Sequence, residues 1–164
     1  MQYQPPAWID WLFNHPPFLV AFAAAACALT FYVLAVIDGW LILSKRFRFK
    51  GSFYGEVWPF QSGRMRFYVH FASSLSVGAD ESGLYLAVFP LFRLWHPPLL
   101  IPWSEVSIIP RQRGLIFKTR ELRLGLEESI PLRISRSLVR TLRESAGEAW
   151  PLESVPIEPA RTHT

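Results

Sequence analysis

Four histidines, His15, His70, His96 and His163, are the side chains in this sequence best suited to proton transfer near neutral pH. Hydrolytic chemistry would need one of them beside a nucleophile and an orienting acid. Their settings argue against it. His15 precedes a long apolar run, His163 belongs to the C-terminal tail, His70 alternates with apolar residues as in a strand, and His96 stands in front of Pro97 and Pro98. Metal binding has no better support, because there is no HxxxH spacing and Cys27, the single cysteine, lies inside the apolar run. Asp80, Glu81, Glu127 and Glu128 fall in turn-like stretches and read as solvated carboxylates. Neither a GxxxxGK nor a GxGxxG loop occurs to cradle phosphate. The sequence thus predicts no catalytic residue, no cofactor and no metal, and an enzyme of unknown class is kept only as an alternative.

The basic residues carry more information. All 17 Lys and Arg lie from Lys45 onward, together with 11 of the 13 acidic residues, which leaves that stretch at +6 against +4 for the whole chain. Such a balance favours lipid head groups, nucleic acid or acidic proteins as partners. Lys45, Arg46, Arg48 and Lys50 crowd one short stretch, Lys50 with Arg64 and Arg66 has a loose Lys…Arg-x-Arg spacing, and Arg111, Arg113, Lys118 and Arg120 make a second cluster. Lys45, Arg46, Arg48, Lys50, Arg64, Arg66, Arg111 and Arg113 are therefore the candidate contacts to anionic lipid, each worth about 1 kcal/mol near such a surface. Trp95 and Arg113 are the candidate contacts to a protein partner. Nucleic acid is not expected, since no aromatic stacking pattern accompanies the charges.

These residues depend on two kinds of element. Phe18 to Ile37 is a run of twenty residues without a charge. At about 1.5 Å per residue it crosses a hydrocarbon core of roughly 30 Å, so it predicts a transmembrane helix, taken to extend over 18–44. A core helix of a soluble protein would show a polar stripe, and only Thr30 and Tyr32 interrupt this one. A cleaved signal peptide would begin with a basic region, which is missing, so the segment is expected to stay uncleaved. Asp38 and Trp40 are expected in the exit zone, the carboxylate reaching water and the indole lying among the head groups. The crowding of Lys and Arg just beyond the span predicts an outside N-terminus and a cytoplasmic domain. Ahead of the span, residues 1–17 are expected to include a short interfacial helix bearing Trp8 and Trp11.

Beyond the basic connector at 45–63 the chain changes to short alternating runs. Met65, Phe67, Val69 and Phe71 alternate with Arg66, Tyr68 and His70, which predicts one strand. Leu75 to Ala79 and Leu84 to Phe89 flank a turn at Asp80 to Gly83 and predict a hairpin. Further strands are expected at 99–103, 104–109, 115–118, 121–125 and 130–134. Ser135 is placed to cap a helix whose inner face is Leu138, Val139, Leu142 and Ala146, with Arg136, Arg140 and Arg143 outward and Gly147 as its stop. The tail, 148–164, is expected to be flexible, while residues 51–149 are expected to fold without the membrane helix.

About seven short strands closed by one amphipathic helix over 64–147 resemble a pleckstrin-homology (PH) or GRAM-type domain. The Asp80 to Leu86 hairpin and the Ile101-Pro102-Trp103-Ser104-Glu105-Val106 step are similar to bacterial PH-like domains. The arrangement also resembles small bacterial membrane proteins that place such a domain after one helix. The resemblance implies a mainly β fold, a PH-like antiparallel barrel closed by a C-terminal helix, anchored in the inner (plasma) membrane. The missing catalytic constellation, and a single anchor joined to a basic, aromatic-rich β domain, lead to the expectation of a non-catalytic module for protein interaction at the cytoplasmic face, with anionic-lipid binding as the alternative.

Overall fold

The computed structural model describes residues 16–66, 69–90, 93, 95–109, 119–127 and 129–151. The expected interfacial helix, the strand at 115–118, Arg111, Arg113 and most of the tail lie outside these residues.

The apolar run forms helix α1, Pro16–Ile37, opened by two prolines as a first turn tolerates. Phe18, Val20, Phe22 and Leu29 stay exposed along it. The helix is long and apolar enough to cross a membrane. It ends sooner than the sequence suggests. The chain breaks at Asp38-Gly39 and restarts as α2, Trp40–Phe47, whose Trp40 and Leu43 are buried in the domain core. Gly39 makes the break possible: its φ is +84°, and an added Cβ would collide with the Ile130 side chain.

After α2 an extended stretch crosses the sheet. Arg48 bridges to Leu99, the Phe49 N–H donates to the Pro98 carbonyl at 2.8 Å, and the Phe53 ring stacks on Tyr85 with centroids 4.6 Å apart. Seven antiparallel strands follow: β1 Glu56–Met65, β2 Val69–Ala79, β3 Gly83–Val88, β4 Leu99–Pro102, β5 Val106–Ile108, β6 Thr119–Leu124 and β7 Ile130–Ser135. Their order across the sheet is β4-β3-β2-β1-β7-β6-β5, so the first strand pairs with the last and the sheet curls into a nearly closed barrel. Bulges in β1 between Trp58 and Gly63 supply bending, with Phe60 at φ +57° and Ser73 on the facing strand at +51°.

Two sequence expectations need correction here. The alternation from Met65 to Phe71 spans two strands, because Met65 pairs antiparallel with Val69. β1 also begins at Glu56, within the stretch read as connector.

Inward residues of all the strands meet in one core, where Leu75, Leu86, Ile101, Leu122, Leu132 and Ile134 are fully buried. The amphipathic helix α3, Arg136–Ala146, closes it with Leu138, Leu142 and Ala146. Its ends follow the sequence signals. The Ser135 hydroxyl accepts the Leu138 N–H at 3.2 Å, and Gly147 at φ +55° donates its N–H to the Arg143 carbonyl. The tail begins in order: the Trp150 ring packs on Trp103, with centroids 5.2 Å apart.

Candidate functional site

The most tightly built polar constellation lies where α1 meets the barrel. Asp38 is fully buried, contrary to a place in the exit zone, because its carboxylate is used twice. One oxygen accepts the Trp40 N–H at 2.7 Å and closes the break between the helices; the other lies 3.0 Å from Nε2 of His96. Trp40 likewise leaves the head-group zone for the core. Its indole N–H donates to the Pro97 carbonyl at 2.8 Å, and its ring touches those of His96 and Phe71, at centroid distances of 5.3 and 5.9 Å. The prolines after His96 hold an extended chain, so that His96 and the Pro97 and Pro98 carbonyls reach Asp38, Trp40 and Phe49 in turn.

A buried acid and histidine in contact can move a proton, yet this pair lines neither the groove beside Glu56 and Asp80 nor the cavity beside Arg120 and Arg136. Its geometry is that of a fastening. Removing one partner of a buried hydrogen bond leaves the other unsatisfied at about 1–3 kcal/mol, and here the same carboxylate also ends one helix and begins the next. A second tie runs from α2: Arg46 pairs with Glu105 at 2.6 Å and Glu127 at 3.4 Å, while Glu105 also accepts the Leu126 N–H at 2.9 Å. A third involves Trp95, whose ring meets Tyr32 of α1 edge-on at 5.3 Å. The connection between β3 and β4 therefore reaches back alongside the apolar helix.

The lipid candidates divide. Lys45, Arg48 and Lys50 are exposed around and after α2, whereas Arg46 is committed to its carboxylates. Arg64 is exposed on β1, level with His70 on one side and Arg133 on the other. Arg66, half-buried, follows the end of β1. These two belong to the same end of the barrel as the α1 exit: Met65 pairs with Leu132, Ile130 lies against Gly39, and Phe71 touches Trp40. Arg111 and Arg113 fall outside the described residues. Trp95, the described partner candidate, is nearly half exposed despite its contact with Tyr32.

Two features at a distance from this junction escaped the sequence reading. At the far end of β1 an open groove of about 730 Å³ is lined by Glu56, Asp80, Glu81 and Glu144 with Thr141 and Ser145. Its carboxylates are partly occupied: Glu56 accepts the Ser145 hydroxyl at 2.6 Å, and Asp80 accepts the backbone N–H groups of Ser82 and Gly83. Between the barrel and α3 a smaller cavity of about 230 Å³ brings Arg120 together with Arg136, Arg140 and Arg143. The sequence shows those three as an outward stripe at i, i+4 and i+7, but the strand residue that joins them is only visible once β6 and α3 are packed. Among the described residues no group of three or more His, Cys, Asp or Glu side chains is placed to hold a metal ion.

Compared with family models, curated proteins and solved structures, the chain matches none.

Proposed function

We propose that this chain is a single-pass membrane protein whose PH-like β domain serves as a non-catalytic module for protein interaction at the cytoplasmic face of the inner membrane. The observation that carries the reading is the linker-free junction. Asp38, Gly39 and Trp40 run directly from the apolar helix into the domain core, so the barrel sits in one orientation against its anchor. A domain already held at a membrane gains little from further lipid affinity, whereas fixed orientation favours docking of a second protein at the same surface. Curled sheets of this kind leave two edge strands, here β4 and β5, and exposed loops as partner surfaces.

Anionic-lipid binding is the second reading, favoured by one observation: Arg64 and Arg66 stand at the end of the barrel from which α1 departs. Chemical crosslinking in native membranes separates the two. The interaction reading expects a reproducible crosslinked protein that is lost on replacing Trp95 or Arg113 while binding to anionic liposomes is unchanged. Salt-sensitive liposome binding that depends on Arg64 and Arg66, with no crosslinked protein, would support lipid instead. Topology has its own check: alkaline phosphatase fused after Thr164 should be inactive and a fluorescent protein there should glow.

A further inference from the structure

The arginines around the smaller cavity do not serve the helix that carries most of them. Arg136, Arg140 and Arg143 are one stripe of α3, and like charges at this spacing destabilise a helix by a few tenths of a kcal/mol per pair. Arg136 also occupies the first turn, where the backbone dipole disfavours a cation. Other arginines of the domain are neutralised: Arg46 by Glu105, and Arg123 and Arg133 by Glu121. The guanidinium groups of Arg136, Arg140 and Arg143 have no hydrogen bond or ion pair among the described residues, although Arg120 is added beside them from β6. Three unpaired guanidinium groups around one cavity, those of Arg136, Arg140 and Arg143, match a negative charge.

We propose that this cavity binds an acidic segment of a partner protein, taking one carboxylate or phosphoryl side chain between Arg136, Arg140 and Arg143. The proposal rests on the interaction reading and names the chemistry of its partner. Arginine forks hold planar carboxylates and phosphoryl groups with two parallel hydrogen bonds. Ile108, Val139 and Trp150 form the rest of the lining, so the favoured anion is one borne on an apolar neighbourhood rather than a hydrated ion. At about 230 Å³ the space is below the usual range for a cofactor or metabolite, roughly 300–1,000 Å³, and suits a side chain. A lipid of the anchoring membrane is disfavoured by position. Arg120 lies four residues along β6 from Leu124, about 13 Å, and it is the turn after Leu124 that packs against Leu43 and Phe47 of α2.

The test uses the full chain in phosphatidylcholine nanodiscs and fluorescence anisotropy of a labelled peptide of alternating Glu and Leu. Arg140→Gln with Arg143→Gln, both at exposed positions, should weaken binding by about tenfold or more. Lys45→Gln with Arg64→Gln removes the same charge elsewhere and should change it by less than about twofold. A peptide with Gln in place of Glu should not bind. Equal losses in the two double variants, no peptide binding by the unaltered protein, or inorganic phosphate displacing the peptide at equal concentration would each overturn the proposal. So would binding to vesicles containing one-third phosphatidylglycerol that depends on Arg140 and Arg143. Crosslinking in native membranes keeps this apart from the broader reading: a partner retained by the Arg140 and Arg143 double variant overturns this site alone, while peptide binding lost in that variant without any native partner supports the site and counts against the interaction reading.

Discussion

Asp38 ties the end of α1 to both α2 and the β3–β4 connection. Its two oxygens reach a backbone N–H two residues ahead and a histidine 58 residues ahead, in a fully buried setting. Replacing it with Ala leaves the His96 ring and the Trp40 N–H without their acceptor in the core, each a penalty of about 1–3 kcal/mol. Asp38→Ala should therefore lower unfolding stability by about 3 kcal/mol, measured by denaturant titration in detergent micelles, with Asp38→Asn losing less because an amide oxygen still accepts the Trp40 N–H. An unchanged midpoint would mean that the carboxylate is not a fastening. The sequence could not disclose this role. An acid and a tryptophan just after an apolar run have an ordinary explanation at a membrane surface, and their true partners, His96 and Pro97, are remote in the chain.

At the scale of elements, legibility follows whether the determining signals are local. Helix α3 was readable from end to end because its cap, inner face and stop all lie within thirteen residues, Ser135 to Gly147. The Asp80 to Gly83 turn was readable for the same reason, since Asp80 hydrogen bonds the backbone it turns. The hairpin between β1 and β2 was hidden because period-two alternation continues through both arms, and α2 was hidden because Leu41, Ile42 and Leu43 prolong the apolar run after Gly39. The arginine cavity was half legible: its helical stripe is local, its contribution from β6 is not. Two variants of α3 check the packing argument. Ser135→Ala should cost about 1 kcal/mol by removing the acceptor for Leu138 N–H. Leu142→Asp, at a fully buried position, should cost more than about 4 kcal/mol and leave little folded protein at room temperature. Both are read from thermal or denaturant unfolding followed by circular dichroism.

In the molecule as a whole, the apolar helix α1 and the β domain share a boundary that α2 makes part of the domain. Residues 51–149 were expected to fold alone, but the barrel core includes Trp40 and Leu43, and Arg46 is tied to Glu105. Burying two large apolar side chains stabilises by about 4 kcal/mol. A fragment starting at Gly51 should consequently be less stable by about that amount than one starting at Asp38, both ending at Pro151 and compared by urea unfolding; equal stabilities would detach α2 from the domain. The β class and the closing helix were legible in the alternating runs and the helix signal, whereas the strand order, with β1 paired to β7, depends on pairings remote in the chain.

Whether the barrel is fixed against α1, as proposed, rather than loosely tethered to it is open to one distance measurement. Cys27 lies in the middle of α1, and Ser137 is exposed on α3. Spin labels at Cys27 and at Ser137→Cys, in nanodiscs and read by pulsed double electron–electron resonance, should give a single narrow distance distribution that broadens in the Asp38→Ala protein. A broad or multiple distribution in the protein with Asp38 intact would contradict the account.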